Sequence, residues 1–288
     1  MSAATFRSSR FSSALWRAFL RNRNAIIGSA IVLLAVIVAI LSPLLAPHAY
    51  DETNLLNAWG PPDNSFWLGT DELGRDTLSR LIVGARTSLL IAGSVVAITL
   101  SAGVALGAVA GYLGGWADRI IMRSVDVVLA FPEVVFAIVI AAAIGPGTTT
   151  VIVALSMVWW PGVARLSRSL VLTLRSESFI EAAVVAGVPT SIIIWRHLLP
   201  NMLSPILVRA SVGVGFIIMS EATLSFLGLG VQEPVPSWGG MIREGLTALY
   251  TDPMLAISAS LVLGVTIIGF NLLGDGLRDI LDPKIEGR

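Results

Sequence analysis

Residues 25–46 carry no charged side chain, and this run is the first of several. A bilayer core takes about 20 apolar residues per helix. Further uncharged stretches cover residues 87–117 and 134–164, the second broken by the turn signal Gly145-Pro146-Gly147. The pattern predicts six spans. They are residues 25–46, a second within 87–117, a third from near Val125 that carries Asp126 and Glu133, a fourth over 148–163, a fifth over 205–227 interrupted by Glu221, and a sixth over 253–273. The first run lacks a small-residue cleavage site and reads as a retained span, not a signal peptide. The expected fold class is an all-α polytopic membrane protein.

Composition supports this. Hydrophobic residues make up 55% of the 288-residue chain and charged residues 13%, about half the share of a soluble domain. Too few polar groups remain to coat the helices in water. Acids and bases balance at 19 each, so no global charge points to nucleic acid. Cysteine is absent, which excludes a thiolate nucleophile and a Cys-based metal site. The histidines, His48 and His197, fall on opposite sides of the expected topology. An intramembrane hydrolase has no nucleophile–base set or metal site to draw on. A stand-alone secondary transporter would show repeated, broken helices in matching halves, and six spans show no such symmetry.

Orientation follows from arginine. Arg7, Arg10, Arg17, Arg21 and Arg23 face no acid in residues 1–24, which places that tail in the cytoplasm. Six spans return the 276–288 tail to the same side. The loop 165–201 then lies inside with Arg165, Arg168, Arg175 and Arg196. The segment 47–86, with six acids against three arginines, lies outside. The only lysine, Lys284, follows Asp282-Pro283 and not a glycine loop. A P-loop is therefore absent, and any ATP use belongs to partners. Residues 285–288 carry no weight in the argument.

The inner loop holds the most specific pattern. Ser178-Phe179-Ile180-Glu181 has the form of a capping box, with Ser178 as the cap and Glu181 reaching back. Ala182 and Ala183 leave a thin helical face. Gly187 fits the left-handed position that ends a helix, and Pro189 blocks continuation. A second short helix is expected over 192–199, capped by Thr190 or Ser191 and stopped by Pro200. A short helix with a small-residue face suits a groove on another protein.

Glu181-Ala182-Ala183, Gly187, and Leu199-Pro200, with the proline thirteen residues after that glycine, resemble the EAA loop of bacterial ABC importer permeases. The generic loop has isoleucine two residues before the leucine; His197 stands there instead, as in the peptide branch. Leu68-Gly69-Thr70-Asp71-Glu72-Leu73-Gly74-Arg75-Asp76, Gly84-Ala85-Arg86-Thr87-Ser88-Leu89, Leu224-Ser225-Phe226-Leu227-Gly228-Leu229-Gly230, Pro236-Ser237-Trp238-Gly239 and Asn271-Leu272-Leu273-Gly274-Asp275-Gly276-Leu277-Arg278-Asp279 are similar to blocks of dipeptide, oligopeptide and nickel permeases. The resemblance spans residues 17–283 and looks like the second permease of a pair.

The resemblance implies a type I importer permease in the inner membrane: a first helix over 25–46, an outer segment over 47–86, and a five-helix core over 87–275. It implies a second permease, two ATPase subunits or domains carrying ATP and magnesium, and an extracytoplasmic binding protein, with no cofactor or metal in this chain and no catalysis of its own. Ser178, Phe179, Glu181, Ala182, Ala183, Gly187, Leu199 and Pro200 would couple it to the ATPase. Peptides are the implied cargo, with nickel chelates or glutathione as alternatives. Glu221, an acid inside an apolar run, either lines the path or gate or bonds two helices together. His48 reads as an outer interfacial residue. Trp159-Trp160 read as anchors or packing.

Overall fold

The computed structural model describes residues 16–281, and these are helical with no strand among them. Arg7, Arg10 and Lys284 lie outside the described residues. Helix α1 spans Arg23–Ile40, its start capped by Asn22, whose Oδ1 accepts from the Ala25 amide at 3.0 Å. The chain then breaks, and a single turn, α2, covers Ser42–Leu45. The apolar run 25–46 is thus two pieces, because Pro43 sits in the first turn of α2 and cannot continue α1.

Helix α3, Thr77–Leu113, begins ten residues before its apolar stretch. Asp76 caps it, accepting from Ser79 N at 2.9 Å and Ser79 Oγ at 2.5 Å. The outer segment 47–86 therefore gives its last ten residues to a helix. The third span departs most from expectation. Helix α4, Gly115–Leu129, and α5, Glu133–Ile144, meet at 92°, with Pro132 at the break. Twelve residues reach about 18 Å, less than a bilayer core, so α5 crosses only together with its bent neighbour.

Helix α6, Thr148–Arg175, runs well past Val163 and carries Arg165 and Arg168 on its surface instead of in a loop. They pair back to α4: Arg165 Nη2 donates to Asp126 Oδ1 at 2.7 Å, and Arg168 holds Asp118 through Nε at 2.5 Å and Nη2 at 2.7 Å. After the short helix α7, Ser178–Val185, the chain turns at Thr190–Ile192 and passes through a π-type turn, Ile193–Leu198, straight into α8, Leu199–Phe226. Pro200 does not stop this helix. It lies in the first turn of α8 after a wider turn, where its missing N–H breaks no bond. Helix α9, Trp238–Thr247, and α10, Met254–Leu281, complete the chain. Among the described residues five helices are long and apolar enough to span, and six if the bent α4–α5 pair counts as one span.

The tightest interface joins α3 to α6. Gly103, Gly107 and Gly111, one turn apart, lie against Val163, Ala164 and Val171. A Cβ at Gly107 would stand 2.3 Å from the Ala164 carbonyl, closer than any real contact. The spacing lets two backbones touch, which is how helices associate where lipid gives no hydrophobic drive. One core lies toward the outer half, around Ile91, Leu155, Ile218 and Trp238. A second lies at the inner end, around Ile180, Ile193, Leu198 and Met202.

Candidate functional site

The inner core positions α7. Arg175, at the end of α6, donates from Nη1 to the Tyr112 carbonyl at 3.3 Å and lies over the Tyr112 ring, so the ends of α3 and α6 are tied together. Three residues later α7 begins. Ile180 is fully buried and Ala183 nearly so, against Ala108 of α3, Val171 of α6 and Met202 and Ile206 of α8. These two anchors set the rotation of the helix. Phe179, Glu181, Ala182 and Val185 are left exposed, Val185 at 88%. The helix thus has one face on three spanning helices and one bare face.

The capping box does not form. Ser178 is the first helical residue and Glu177 the cap, with no side-chain cap bond. Burial of Ile180 and Ala183 fixes the register, and packing outweighs a cap worth about 1 kcal/mol. The other end follows the sequence. Gly187 has φ +71°. The Val188 amide donates to the Ala183 carbonyl at 3.0 Å, and the Gly187 amide to that of Val184 at 3.0 Å. This is the Schellman pattern. Leu199 and Pro200 stand beyond the π-type turn at the foot of α8, not on α7.

The outer face holds an ion cluster that sequence reasoning did not assemble. Asp71 Oδ1 accepts from the amides of Leu73 and Arg75 at 2.9 Å each, and Oδ2 from Arg75 Nε at 2.6 Å. Arg80 Nη1 donates to the same Asp71 oxygen and to Glu244 Oε1, the latter at 2.8 Å. Arg75 Nη2 reaches Glu244 at 3.2 Å, and its Nη1 reaches Glu233 at 3.3 Å. Asp71, Arg75 and Arg80 are almost fully buried. The cluster joins the 68–76 turn and the head of α3 to α9. Burial raises the Asp71 carboxyl, but Arg80, the Arg75 amide and the Arg75 guanidinium outweigh it and hold it below the usual carboxylate range. Burial leaves Glu244 raised despite the same arginines. The available signal was Arg75 and Arg80 flanking the Asp76 cap; their partner Glu244 is too distant in sequence to be read.

Glu221 is fully buried between α3, α8 and the head of α9. It accepts from Ser88 Oγ at 3.1 Å and Ser225 Oγ at 2.8 Å, and the Ser237 hydroxyl interacts with it as well. The placement supports the interhelical bonding reading. Glu221→Gln keeps the volume and an acceptor, so uptake and assembly are expected within about threefold of wild type. Glu221→Leu strands buried hydroxyls at about 1–3 kcal/mol. Thermal unfolding of the solubilised protein measures the difference; a greater loss of uptake than of stability in Glu221→Gln would return the residue to the path. His48 lies at the outer face, its ring on Phe66 and its amide bonded to Ser79 Oγ at 2.9 Å. Trp159 is buried in the helix interface.

The described residues combine an anchored inner helix, five helices of spanning length with one bent pair, and an outer face braced by ion pairs. The sequence profile of the binding-protein-dependent transport system inner membrane component matches residues 103–287, and that of the N-terminal TM domain of oligopeptide transport permease C matches residues 9–62. The chain belongs to this family of transport permeases. The dipeptide transport system permease protein DppC of Alkalihalophilus pseudofirmus is 41% identical over 92% of this chain and 88% of its own. The glutathione transport system permease protein GsiD of Pectobacterium atrosepticum is 42% identical over 94% and 90%. The oligopeptide transport system permease protein OppC of Bacillus subtilis is 39% identical over 96% and 92%. Among solved structures, a chain of the MetNI methionine ABC transporter in an inward-facing conformation shares the fold. Its TM-score is 0.54 at 18% identity, over 70% of this permease and 96% of that chain. The permease is a multi-pass transport component of an ABC importer and not an enzyme.

Proposed function

We propose that this permease imports peptides, as one of two permease subunits above two ATPase subunits or domains that hold ATP and magnesium, with an extracytoplasmic binding protein delivering the cargo. The observation that carries the coupling role is the two-faced α7. Its buried face grips α3, α6 and α8 through Ile180 and Ala183, and its bare face offers Phe179, Glu181, Ala182 and Val185. A push on the bare face moves three spanning helices together. Gly187 ends the lever sharply, and Leu199 and Pro200 pass its motion into α8. Both termini lie in the cytoplasm on this reading, which rests on the arginines of the N-terminal tail.

The peptide class is supported by the printed names of the relatives, two of which are a dipeptide and an oligopeptide permease. Glutathione, the cargo in the third name, is itself a tripeptide. The test is reconstitution. Vesicles holding both permeases, the ATPase subunits and the binding protein should accumulate labelled dialanine or trialanine only with ATP. The isolated chain should neither accumulate peptide nor hydrolyse ATP. ATP turnover by the chain alone would sink the subunit reading, and accumulation of no di- or tripeptide would sink the cargo reading.

A further inference from the structure

Arg209 stands within α8, ten residues from the foot of a 28-residue helix. Its guanidinium lies over the Trp159 ring at 5.4 Å. Trp159 is eleven residues from the outer end of α6 and sixteen from the inner end, about 17 Å and 24 Å along the axis. Arg165, six residues further in on the same helix, is exposed and ion-paired, so the Arg209 cation lies within the apolar span on its inner side, about 9 Å along the axis from that charge. Among the described residues no carboxylate pairs with it, and the Trp159 face is its one partner. An unpaired arginine at this depth is costly and faces a cavity or an anion.

Gly162 of α6 and Gly213 of α8 lie beside the guanidinium, where a Cβ would meet it at ordinary contact, 3.4 Å from Nη2 and 3.8 Å from Nη1. Behind it, toward Val96, Thr99 and Val163, is a cavity of about 20 Å³, room for about one water. No ligand enters from that side. The other side is open: Arg209 is only partly buried, and Phe216, two turns on along the same face, is 48% exposed with its ring 6.1 Å from that of Trp159.

We propose that Arg209, propped on Trp159, is a carboxylate-binding point on the translocation path, which takes the C-terminal carboxylate of a peptide in transit. The proposal rests on the peptide reading above. The chemistry fits in two ways. A guanidinium presents paired N–H donors that match a carboxylate, which offsets the cost of bringing that anion into the membrane. A single cation with a π-face behind it holds the anion without a second clamp, so the cargo leaves again, as conduction requires.

The test uses the whole reconstituted complex with trialanine and trialanine amide. Arg209→Gln should cut trialanine uptake by roughly tenfold to a hundredfold and amide uptake by less than about threefold, with the subunits still associated. Arg209→Lys should recover part of the trialanine rate. In the purified complex, N-acetyl-trialanine should alter Trp159 fluorescence, read as the difference from Trp159→Phe, and its amide should not. Wild-type trialanine uptake in Arg209→Gln would overturn the proposal. So would equal losses for acid and amide, or release of the second permease, either of which would make Arg209 a structural cation. A wild-type complex that moved no peptide at all would remove the peptide reading, and this proposal with it.

Discussion

Arg80→Ala is expected to loosen the outer face at a cost of about 3–5 kcal/mol, the range for removing one member of a buried charge group. Arg80 bonds both Asp71 and Glu244, and all three are buried. Alanine leaves two carboxylates facing each other with Arg75 alone between them. The damage should appear as a lower unfolding temperature and as protease cuts in the outer segment between α8 and α10, which Glu244 of α9 holds to α3. Glu244→Gln added to Arg80→Met should recover much of the loss, because replacing a buried ion group as a whole is far milder than breaking it. The pH dependence has two opposed parts. Asp71 is held below its usual range, so its stabilisation is complete above the ordinary carboxylate pKa and disappears only as pH falls below that range. Glu244 is raised, so its protonation comes first and relieves strain instead of adding it. The outer face should thus survive mild acid. Unchanged unfolding and protease protection in Arg80→Ala would show that the cluster does not brace α9.

The spans were legible in the sequence because a bilayer imposes one condition, length of apolar run, that hydropathy measures directly. Their ends were not. Asp76 and Ser79 start α3 by hydrogen bonding, ten residues before hydropathy rises. The inner end of α6 is amphipathic and paired to α4, so Arg165 and Arg168 looked like loop residues. Proline misled in both directions. Pro132 breaks the third crossing by 92°, while Pro200 is absorbed by the π-type turn before it. Both lie next to apolar residues, and only the neighbouring turn decides which occurs. At the candidate site the Gly187 stop was readable, since one backbone conformation suits glycine. The rotation of α7 was not. It depends on Val171, Met202 and Ile206, which meet Ile180 only in three dimensions. The ion cluster and the Arg209–Trp159 pair were hidden for the same reason: their bonded members are 169 and 50 residues apart at the longest reach.

That rotation changes which substitution on α7 tests coupling. Ala182 faces out and Ala183 faces in. Ala182→Trp places a large ring on the bare face without touching the inner core. Folding and membrane insertion should remain as in wild type, while hydrolysis stimulated by the loaded binding protein, and uptake with it, fall more than about tenfold. This corresponds to about 1.4 kcal/mol or more of lost docking, within the range for overpacking a fitted surface. Ala183→Trp forces the same ring among Val171, Ile193 and Met202, so it should lower unfolding temperature as well as uptake. Gly187→Val should act through conformation alone, since a side chain there meets open space within this chain. A β-branched residue at φ +71° costs at least about 1–2 kcal/mol. Gly187→Asn should be far milder, because asparagine tolerates that region. Ser178→Ala should shift stability by less than about 0.5 kcal/mol, since Ser178 caps nothing. The contrast between the two alanines decides the matter. A bare face that docks on an ATPase must be sensitive at Ala182 without loss of stability. If Ala182→Trp hydrolysed ATP and accumulated peptide at the wild-type rate, α7 would be an internal brace and the coupling surface would lie elsewhere.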